Sequence, residues 1–405
     1  MTPAHTRGPQ SPGPDTPAPR WPAYPTTDRV VAPGPTAPPG RLAGVDAARA
    51  LALAGMASVH VLPVLAPDGT ETVAGAVAAG RASALFAVLA GVGIALGTGG
   101  TRPPVSGRAH AAMAAGLLVR GLLVALVGLA LVELDPPVAV ILAYYGLLFA
   151  VATPLLRLRA PALATGAVLW CVLGPVASHL LRAGRPAGPG DQPGFAALAT
   201  PGQLLGELAV TGYYPVLPWM TYLLVGMAVG RTELRSVRVA AGLVGGGAAL
   251  AVVAWAGSAL VLGPGGGAAA LGGELARRRY GTVPTDTWWW LAVEAPHTGT
   301  PPDLAHTTGT ALAVLGAMLL LARAVPWAVW ALAAVGRLPL TLYTLHVAAL
   351  ALVPYGDGEA VLVVHLLAAL AIGVALRVAG RRGPLETLVG AASSSVRRAV
   401  AGVDG

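Results

Sequence analysis

The stretch AGMASVHVLPVLA, residues 54–66, is apolar apart from small residues and one imidazole, His60. The preceding stretch RLAGVDAARALAL, residues 41–53, adds Asp46 and Arg49 to the same run. A helix needs about 20 mostly apolar residues to cross a bilayer, and this run supplies them. An acid, a base and an imidazole inside such a helix are costly, so they indicate internal pairing or a functional site.

The spacing places these polar groups on one side of the helix. His60 follows Arg49 by eleven residues, which is close to three turns and roughly 16 Å along the helix axis. Asp46 and Arg49 are three residues apart and also share a face. A helix-start ion pair and an imidazole bonded to neighbouring backbone would explain them. The alternative is that this face of the helix belongs to a functional site.

The composition of the whole chain is that of a membrane protein. Of its 405 residues, 55% are hydrophobic and 11% are charged. A soluble domain carries about 25% charged residues. The net charge of +8 comes from arginines spread between apolar spans. This distribution fits topology signals better than a basic groove, so we expect no nucleic-acid partner.

The hydropathy pattern predicts an all-α, polytopic helical bundle with about ten transmembrane helices. The candidate spans lie near residues 45–66, 82–98, 111–133, 137–155, 160–181, 213–230, 237–263, 307–324, 338–354 and 359–378. Pro326 and Pro339 predict that the ninth span is an interfacial helix followed by a shorter span. Residues 1–40 are Pro-rich and are predicted to be a disordered cytoplasmic tail. The predicted transmembrane domain covers 41–380, and 381–405 is expected to be a cytoplasmic C-terminal tail.

Arginines in the short loops predict the orientation, because cytoplasmic loops carry an excess of basic residues. Four of them lie in two loops assigned to the cytoplasmic side: Arg102, Arg108, Arg157 and Arg159. We therefore expect a multi-pass protein of the plasma membrane with both termini in the cytoplasm. Two long loops, near 182–212 and 264–306, would then face the outside.

Further polar residues inside or beside the spans are candidates for ligand contacts. Arg120 lies near the middle of the third span and needs a partner, such as Asp46 or a tyrosine, or a water-filled cavity where it would contact an anion. Tyr145 and Tyr214 lie at outer span ends, where an aromatic belt is the simpler explanation. A lone histidine such as His346 is more often a packing residue than a catalyst. The histidines and acids of residues 294–306 match no established ligand spacing, so no metal is expected.

Several blocks of sequence together resemble a known family. They are RLAGVDAARALALAGMASVH, GRASALFAVLAGVGIAL, VRGLLVALVGLAL, YYGLLF, YYPVLPWMTYLLVGMAVGR, PHTGTPPDLAHTTGTALAVLG and GRLPLTLYTLH. In this order they are similar to the bacterial heparan-alpha-glucosaminide N-acetyltransferase-like catalytic-domain family. They also resemble the related YeiB-like membrane proteins of the wider transmembrane acyltransferase superfamily. The similarity extends over most of the chain after residue 40.

The resemblance implies a transmembrane acyltransferase. Its donor would be a cytoplasmic acyl-CoA, with acetyl-CoA as the first expectation, and its acceptor an envelope glycan or lipid-linked sugar on the far side. In the lysosomal member the catalytic histidine lies in the loop after the first span, but here that loop offers Asp68 and Glu71 and no histidine. In the broader acyltransferase superfamily a histidine at the outer end of the first helix fills this role, so the resemblance carries the role over to His60 by position, with His297 in reserve and Asp68 as a further candidate.

The resemblance also gives roles to the other polar residues. Four arginines would contact CoA phosphates: Arg102, Arg108, Arg157 and Arg159. Six residues are expected to bind substrate: Asp46, Arg49, Arg120, Tyr145, Tyr214 and His346. A transporter or exporter of a small or lipid-linked solute would use the same buried groups, and a non-catalytic scaffold is the third possibility. The sequence does not predict the oligomeric state.

Overall fold

A computed structural model describes residues 41–104, 107–184, 188–277, 279–354 and 356–402. The predicted disordered tail, residues 1–40, lies outside these ranges. Within them the regular structure is helical and contains no β-strand, which confirms the all-α prediction.

Fifteen α-helices follow one another along the described chain. They are α1 (Ala43–Val61), α2 (Val73–Ala78), α3 (Arg81–Gly97), α4 (Gly107–Val132), α5 (Leu142–Ala152), α6 (Ala160–Leu181), α7 (Pro201–Gly206), α8 (Val216–Gly230), α9 (Val237–Leu262), α10 (Gly267–Leu271), α11 (Pro301–Ala324), α12 (Pro326–Val335), α13 (Pro339–Leu352), α14 (Gly358–Val378) and α15 (Pro384–Ala401). Short 3-10 turns at Thr153–Arg157 and Trp288–Ala292 and a π-turn at Glu207–Thr211 lie between them.

Six of the described helical segments are long and apolar enough to cross a membrane, and two bent pairs raise the number to eight. The bent pairs are Pro201–Thr211 with Val216–Gly230, at 62°, and Pro326–Val335 with Pro339–Leu352, at 59°. The second pair lies where the sequence predicts an interfacial helix followed by a shorter span, and its two helices begin at Pro326 and Pro339. Helices α1 and α5 occupy the two remaining predicted ranges, with 19 and 11 residues. The structure therefore supports a multi-pass membrane protein.

Small residues allow the central helices to pack closely. Gly91 of α3 and Gly226 of α8 face each other, and a Cβ on Gly91 would lie 2.8 Å from the Met227 nitrogen. Gly309 of α11 meets α9 in the same way, with its Cβ position 3.0 Å from the Ala251 Cα. Such contacts are typical of helices inside a membrane, where close backbone approach replaces the hydrophobic effect as the source of association.

The loops gather at two opposite ends of the bundle. At the first, which we call the arginine end, Arg231 donates hydrogen bonds to the Ala95 oxygen at 2.8 Å and the Leu156 oxygen at 2.7 Å. These bonds tie together the loops that follow α3, α5 and α8. At the second, the long-loop end, the Val140 nitrogen donates to Gln192 Oε1 at 2.6 Å. Predicted inner and outer loops therefore lie at different ends.

The segment 381–405, expected as a C-terminal tail, is helical from Pro384 to Ala401. Glu386 Oε1 in this helix accepts hydrogen bonds from the Leu340 and Thr341 nitrogens at the start of α13, at 2.8 and 3.0 Å. Ser393 donates to the Gly116 oxygen of α4 at 2.7 Å. Helix α15 thus joins α13 to α4.

Candidate active site

A cavity of about 460 Å³ lies at the long-loop end of the bundle. His60 of α1 and His297 of the loop before α11 both line it, although they lie far apart in the sequence. Four tyrosines line the same space: Tyr213, Tyr214, Tyr280 and Tyr343. The structure therefore brings the first and the reserve catalytic candidates to one cavity.

His60 lies in the last turn of α1, which ends at Val61 before the extended Leu62. Its Nδ1 is 3.1 Å from His346 Nε2, and the two rings stack with centroids 5.3 Å apart. The other ring nitrogen, Nε2, makes no hydrogen bond to any residue that the structure describes. Because His60 lines the cavity, Nε2 is the nitrogen left to meet a ligand there.

His346 is held in turn by a third histidine. Its Nδ1 is 2.7 Å from His365 Nδ1, and the two rings meet edge to face at 4.7 Å. The predicted substrate-binding residue His346 therefore does not line the cavity but supports His60 from behind. His365 was absent from the predicted site, and no local signal marks it, because the contact joins α1, α13 and α14 only in the folded chain.

The loop that carries His297 is held in an unusual backbone conformation. His297 has φ of 63°, a region that side chains other than glycine rarely occupy. On one side the Gly299 nitrogen donates to Asp303 Oδ2 at 2.9 Å, which anchors the loop to the start of α11. Gly80, at φ of 70°, lets the chain before α3 approach Pro296 closely. Strained residues of this kind cluster at functional sites, since the surrounding structure must hold them.

Aromatic rings form much of the cavity wall. Tyr214, one of the predicted substrate-binding residues, lies with its ring 6.1 Å from that of His297, and Tyr280 lies 5.8 Å from His297 on another side. Tyr343 accepts a hydrogen bond from the Ile141 nitrogen at 3.3 Å. Tyr145 is buried behind this wall without lining the cavity, and its hydroxyl has no hydrogen-bond partner among the described residues.

Comparison with known protein families gives a match over more than half of the chain. The sequence model described as "Heparan-alpha-glucosaminide N-acetyltransferase, catalytic" matches residues 41–261. The chain belongs to this family. No curated protein and no solved structure matched it. Membership implies transmembrane acetyltransferase activity, and the family uses acetyl-CoA as its donor.

The match to the acetyltransferase family covers only part of the site. It contains α1 to α8 and nearly all of α9, and therefore His60, Arg49 and Arg120. His297 and His346 lie after its last matched residue. The cavity is thus built from the matched region together with loop and helix segments that follow it.

Asp68, predicted as a third catalytic candidate, lies on the surface of the loop after α1 and does not line the cavity. Its Oδ1 accepts hydrogen bonds from the Thr70 hydroxyl at 2.6 Å and the Thr70 nitrogen at 2.9 Å. These bonds lower the pKa of the Asp68 carboxyl from its ordinary value, the hydroxyl bond most of all. Asp68 therefore serves a local turn in this structure.

Asp46 and Arg49 lie at the start of α1, at the opposite end from His60. Asp46 is only 2% exposed and is bound by Arg49 Nη1 at 2.8 Å and by Arg41 Nε at 2.6 Å. Arg49 also lies against α3, because a Cβ on Gly93 would be 3.2 Å from its Nη2. The two residues share a face with each other, as their spacing predicts, and form a small ion-pair network.

Arg120 lies at the middle of α4, and its side chain is exposed. It makes no hydrogen bond or ion pair with the described residues, and the charges that act on it are Arg49 and Glu386. Asp46, an expected partner, is occupied by Arg41 and Arg49 instead. Arg120 is therefore a guanidinium that could meet an anion.

The four arginines predicted to contact CoA phosphates are exposed and lie at the arginine end: Arg102, Arg108, Arg157 and Arg159. Arg157 reaches the start of α4, where a Cβ on Gly107 would be 3.6 Å from its Nη2. Arg231 is different, since its hydrogen bonds are used within the fold. The residues described by the structure contain no group of three His, Cys, Asp or Glu side chains able to hold a metal ion.

Proposed function

We propose that the chain moves an acetyl group from cytoplasmic acetyl-CoA to the amine or hydroxyl of a sugar bound in the cavity at the long-loop end. Family membership supports the acetyl transfer. The observation that carries the site assignment is that His60 and His297 line one cavity while His60 keeps Nε2 without a described partner.

In this proposal His60 Nε2 takes the proton from the acceptor as the acceptor's nitrogen or oxygen attacks the thioester carbonyl. A neutral imidazole suits this step because its ordinary pKa lies near the working pH. The carbon–sulfur bond then breaks, and the departing thiolate receives the proton from His60. The products are the acetylated sugar and free CoA, so atoms and charges balance. His297 would orient the acceptor from the opposite wall.

The donor would bind from the arginine end. CoA carries several phosphate charges, and exposed guanidinium groups form strong hydrogen bonds with phosphate. Arg102, Arg108, Arg157 and Arg159 would hold them. Arg120 lies at the middle of α4, farther from the arginine end, and would guide the donor towards His60.

The acceptor would be a glycan of the cell envelope or a lipid-linked sugar. Tyrosine rings offer flat apolar faces and a polar hydroxyl, which suit the two kinds of surface that a sugar presents. Tyr213, Tyr214, Tyr280 and Tyr343 provide four such rings around the cavity. The proposal places the protein in the plasma membrane with the long-loop end outside and both termini in the cytoplasm.

The test uses purified full-length protein, radiolabelled acetyl-CoA and an alkyl α-D-glucosaminide, which offers both an amine and hydroxyls. We expect labelled sugar from the wild type and a loss of about 100-fold or more in His60→Gln, the range of a lost proton-transfer group. His179→Gln is the matched control, because His179 stacks on Trp288 outside the cavity. Equal rates in His60→Gln and wild type would remove His60 as the base.

A further inference from the structure

Three histidines from three helices form one hydrogen-bonded chain that leads away from the cavity. His60 Nδ1 meets His346 Nε2 at 3.1 Å, and His346 Nδ1 meets His365 Nδ1 at 2.7 Å. Both distances are normal for a hydrogen bond between ring nitrogens. Of the three, only His60 lines the cavity.

Because each neutral imidazole carries one N–H proton, the proton position on one of these three histidines fixes the positions on the other two. A neutral imidazole has one N–H donor and one acceptor nitrogen. His346 uses both nitrogens, so if Nδ1 donates to His365, then Nε2 accepts from His60. His60 then carries its proton on Nδ1 and presents a lone pair at Nε2, as a base must. In the reverse arrangement all three rings switch, and His60 presents an N–H to the cavity.

We propose that His346 and His365 are positioning residues that carry the proton taken up by His60 away from the reacting centre and return it. This inference rests on the proposed function, in which His60 Nε2 takes the acceptor's proton. As it does so, the His60 Nδ1 proton moves to His346 Nε2, and the His346 Nδ1 proton moves to His365 Nδ1. The positive charge then lies on His365. The same path in reverse delivers the proton from His60 Nε2 to the CoA thiolate.

The surroundings favour an exchange of protons among the rings themselves. No carboxylate or guanidinium in the described part of the chain hydrogen-bonds or pairs with these three imidazoles. The titratable groups that interact electrostatically with them are His297, which faces His60, and the three imidazoles themselves. His365 is half-buried on α14, a helix whose surface is largely exposed. Two hydrogen bonds separate His365 from His60, the ring that lines the cavity.

A structural role and a proton-carrying role can be separated by substitutions that keep the hydrogen bond. In His365→Asn the side-chain amide can occupy the position of Nδ1 and still bond to His346, but it cannot accept and hold a proton. We expect kcat at saturating acetyl-CoA to fall roughly 10-fold to 100-fold, a part of what a proton-transfer group contributes. His110 lies at the arginine end and is not one of the three hydrogen-bonded histidines, so His110→Asn should keep the wild-type kcat. An unchanged kcat in His365→Asn would overturn the proposal.

The second measurement does not depend on activity. Full-length protein labelled with ¹⁵N-histidine in lipid bilayers would be titrated by solid-state NMR, and single His→Gln variants would assign the eight histidines. In the wild type the signals of His60, His346 and His365 should move together, because interacting sites titrate as a unit. In His346→Gln, the signals of His60 and His365 should move separately.

The two measurements distinguish the possible failures. Identical midpoints for His365 in wild type and His346→Gln would show that no proton is shared, and the relay would be wrong whatever the activity. A wild type that transfers no acetyl group from acetyl-CoA, with the three signals still coupled, would instead contradict the proposed function.

Discussion

The two ends of α1 use polar groups in opposite ways. At the start of the helix, the Asp46 carboxylate is bound by Arg41 and Arg49, so it is fully paired within the fold. At its end, His60 contacts another imidazole on one side and a cavity on the other. A polar group whose partners are all provided serves the fold, whereas one that keeps a nitrogen towards a cavity is available for chemistry. Six substitutions at five residues test this distinction.

The largest effect on activity is expected from His60→Ala, which removes the imidazole at the end of α1 that faces the cavity. Loss of the base should lower acetyl transfer by about 100-fold or more. The melting temperature should change little, because only the bond from His60 Nδ1 to His346 Nε2 is lost and His346 keeps its bond to His365. Activity and thermal unfolding of the same purified sample check both expectations. A strongly lowered melting temperature would place His60 among the structural groups.

Asp46→Ala, in contrast to His60→Ala, should mainly lower the stability of the protein. Removal of one partner from a buried ion pair leaves the other charge without compensation and costs about 3–5 kcal/mol. We therefore expect a clear loss of thermal stability, and Arg49→Ala should partly restore it in the double variant. Thermal unfolding of the two single variants and the double variant measures this coupling. Additive losses would show that the two residues do not act as a pair.

His297 allows the backbone and the side chain to be tested separately. Asn tolerates φ near 63°, so His297→Asn should keep the fold and lower acetyl transfer through loss of the imidazole. His297→Val places a branched side chain in the same conformation and should also destabilise the protein, by about 1–3 kcal/mol. The rate of acetyl transfer and the thermal unfolding of both variants separate the role of the imidazole from that of the backbone conformation. Equal activity in wild type and His297→Asn would leave His297 with a structural role only.

Arg120→Gln should give the smallest effect on the fold, because Arg120 has no described partner to lose. It should weaken acetyl-CoA binding, and the difference from wild type should shrink as salt is raised, since ions screen charge–charge attraction. The dissociation constants of acetyl-CoA for the wild type and for Arg120→Gln, each at low and at high salt, measure this difference. The same affinity in both proteins at low salt would exclude Arg120 from donor binding.

Much of the fold follows from hydropathy and proline positions. The long apolar runs predicted the helices, and Pro215 and Pro339 stand where the two bent pairs resume as α8 and α13. The ion pair at the start of α1 follows from a spacing of three residues. These features are local, so the sequence alone contains the information that specifies them.

The rest of the site depends on contacts between distant helices. His60 and His297 were separate candidates, and only the folded chain shows that they share a cavity. The bond from His346 to His365 spans 19 residues and two helices, so no spacing rule reveals it. Arg120 lacks its expected partner Asp46 because two nearer arginines already bind that carboxylate.

The central claim is that His60 acts as the base when an acetyl group passes from a donor bound at the arginine end to an acceptor at the long-loop end. The most direct test uses proteoliposomes with a uniform orientation, radiolabelled acetyl-CoA on the arginine-end side and the alkyl α-D-glucosaminide on the other. The account predicts labelled acceptor on the long-loop side with the wild type and almost none with His60→Gln. Equal labelling by the two proteins, or passage of the unmodified sugar across the membrane without any acetylation, would contradict it, and the second result would favour a transporter.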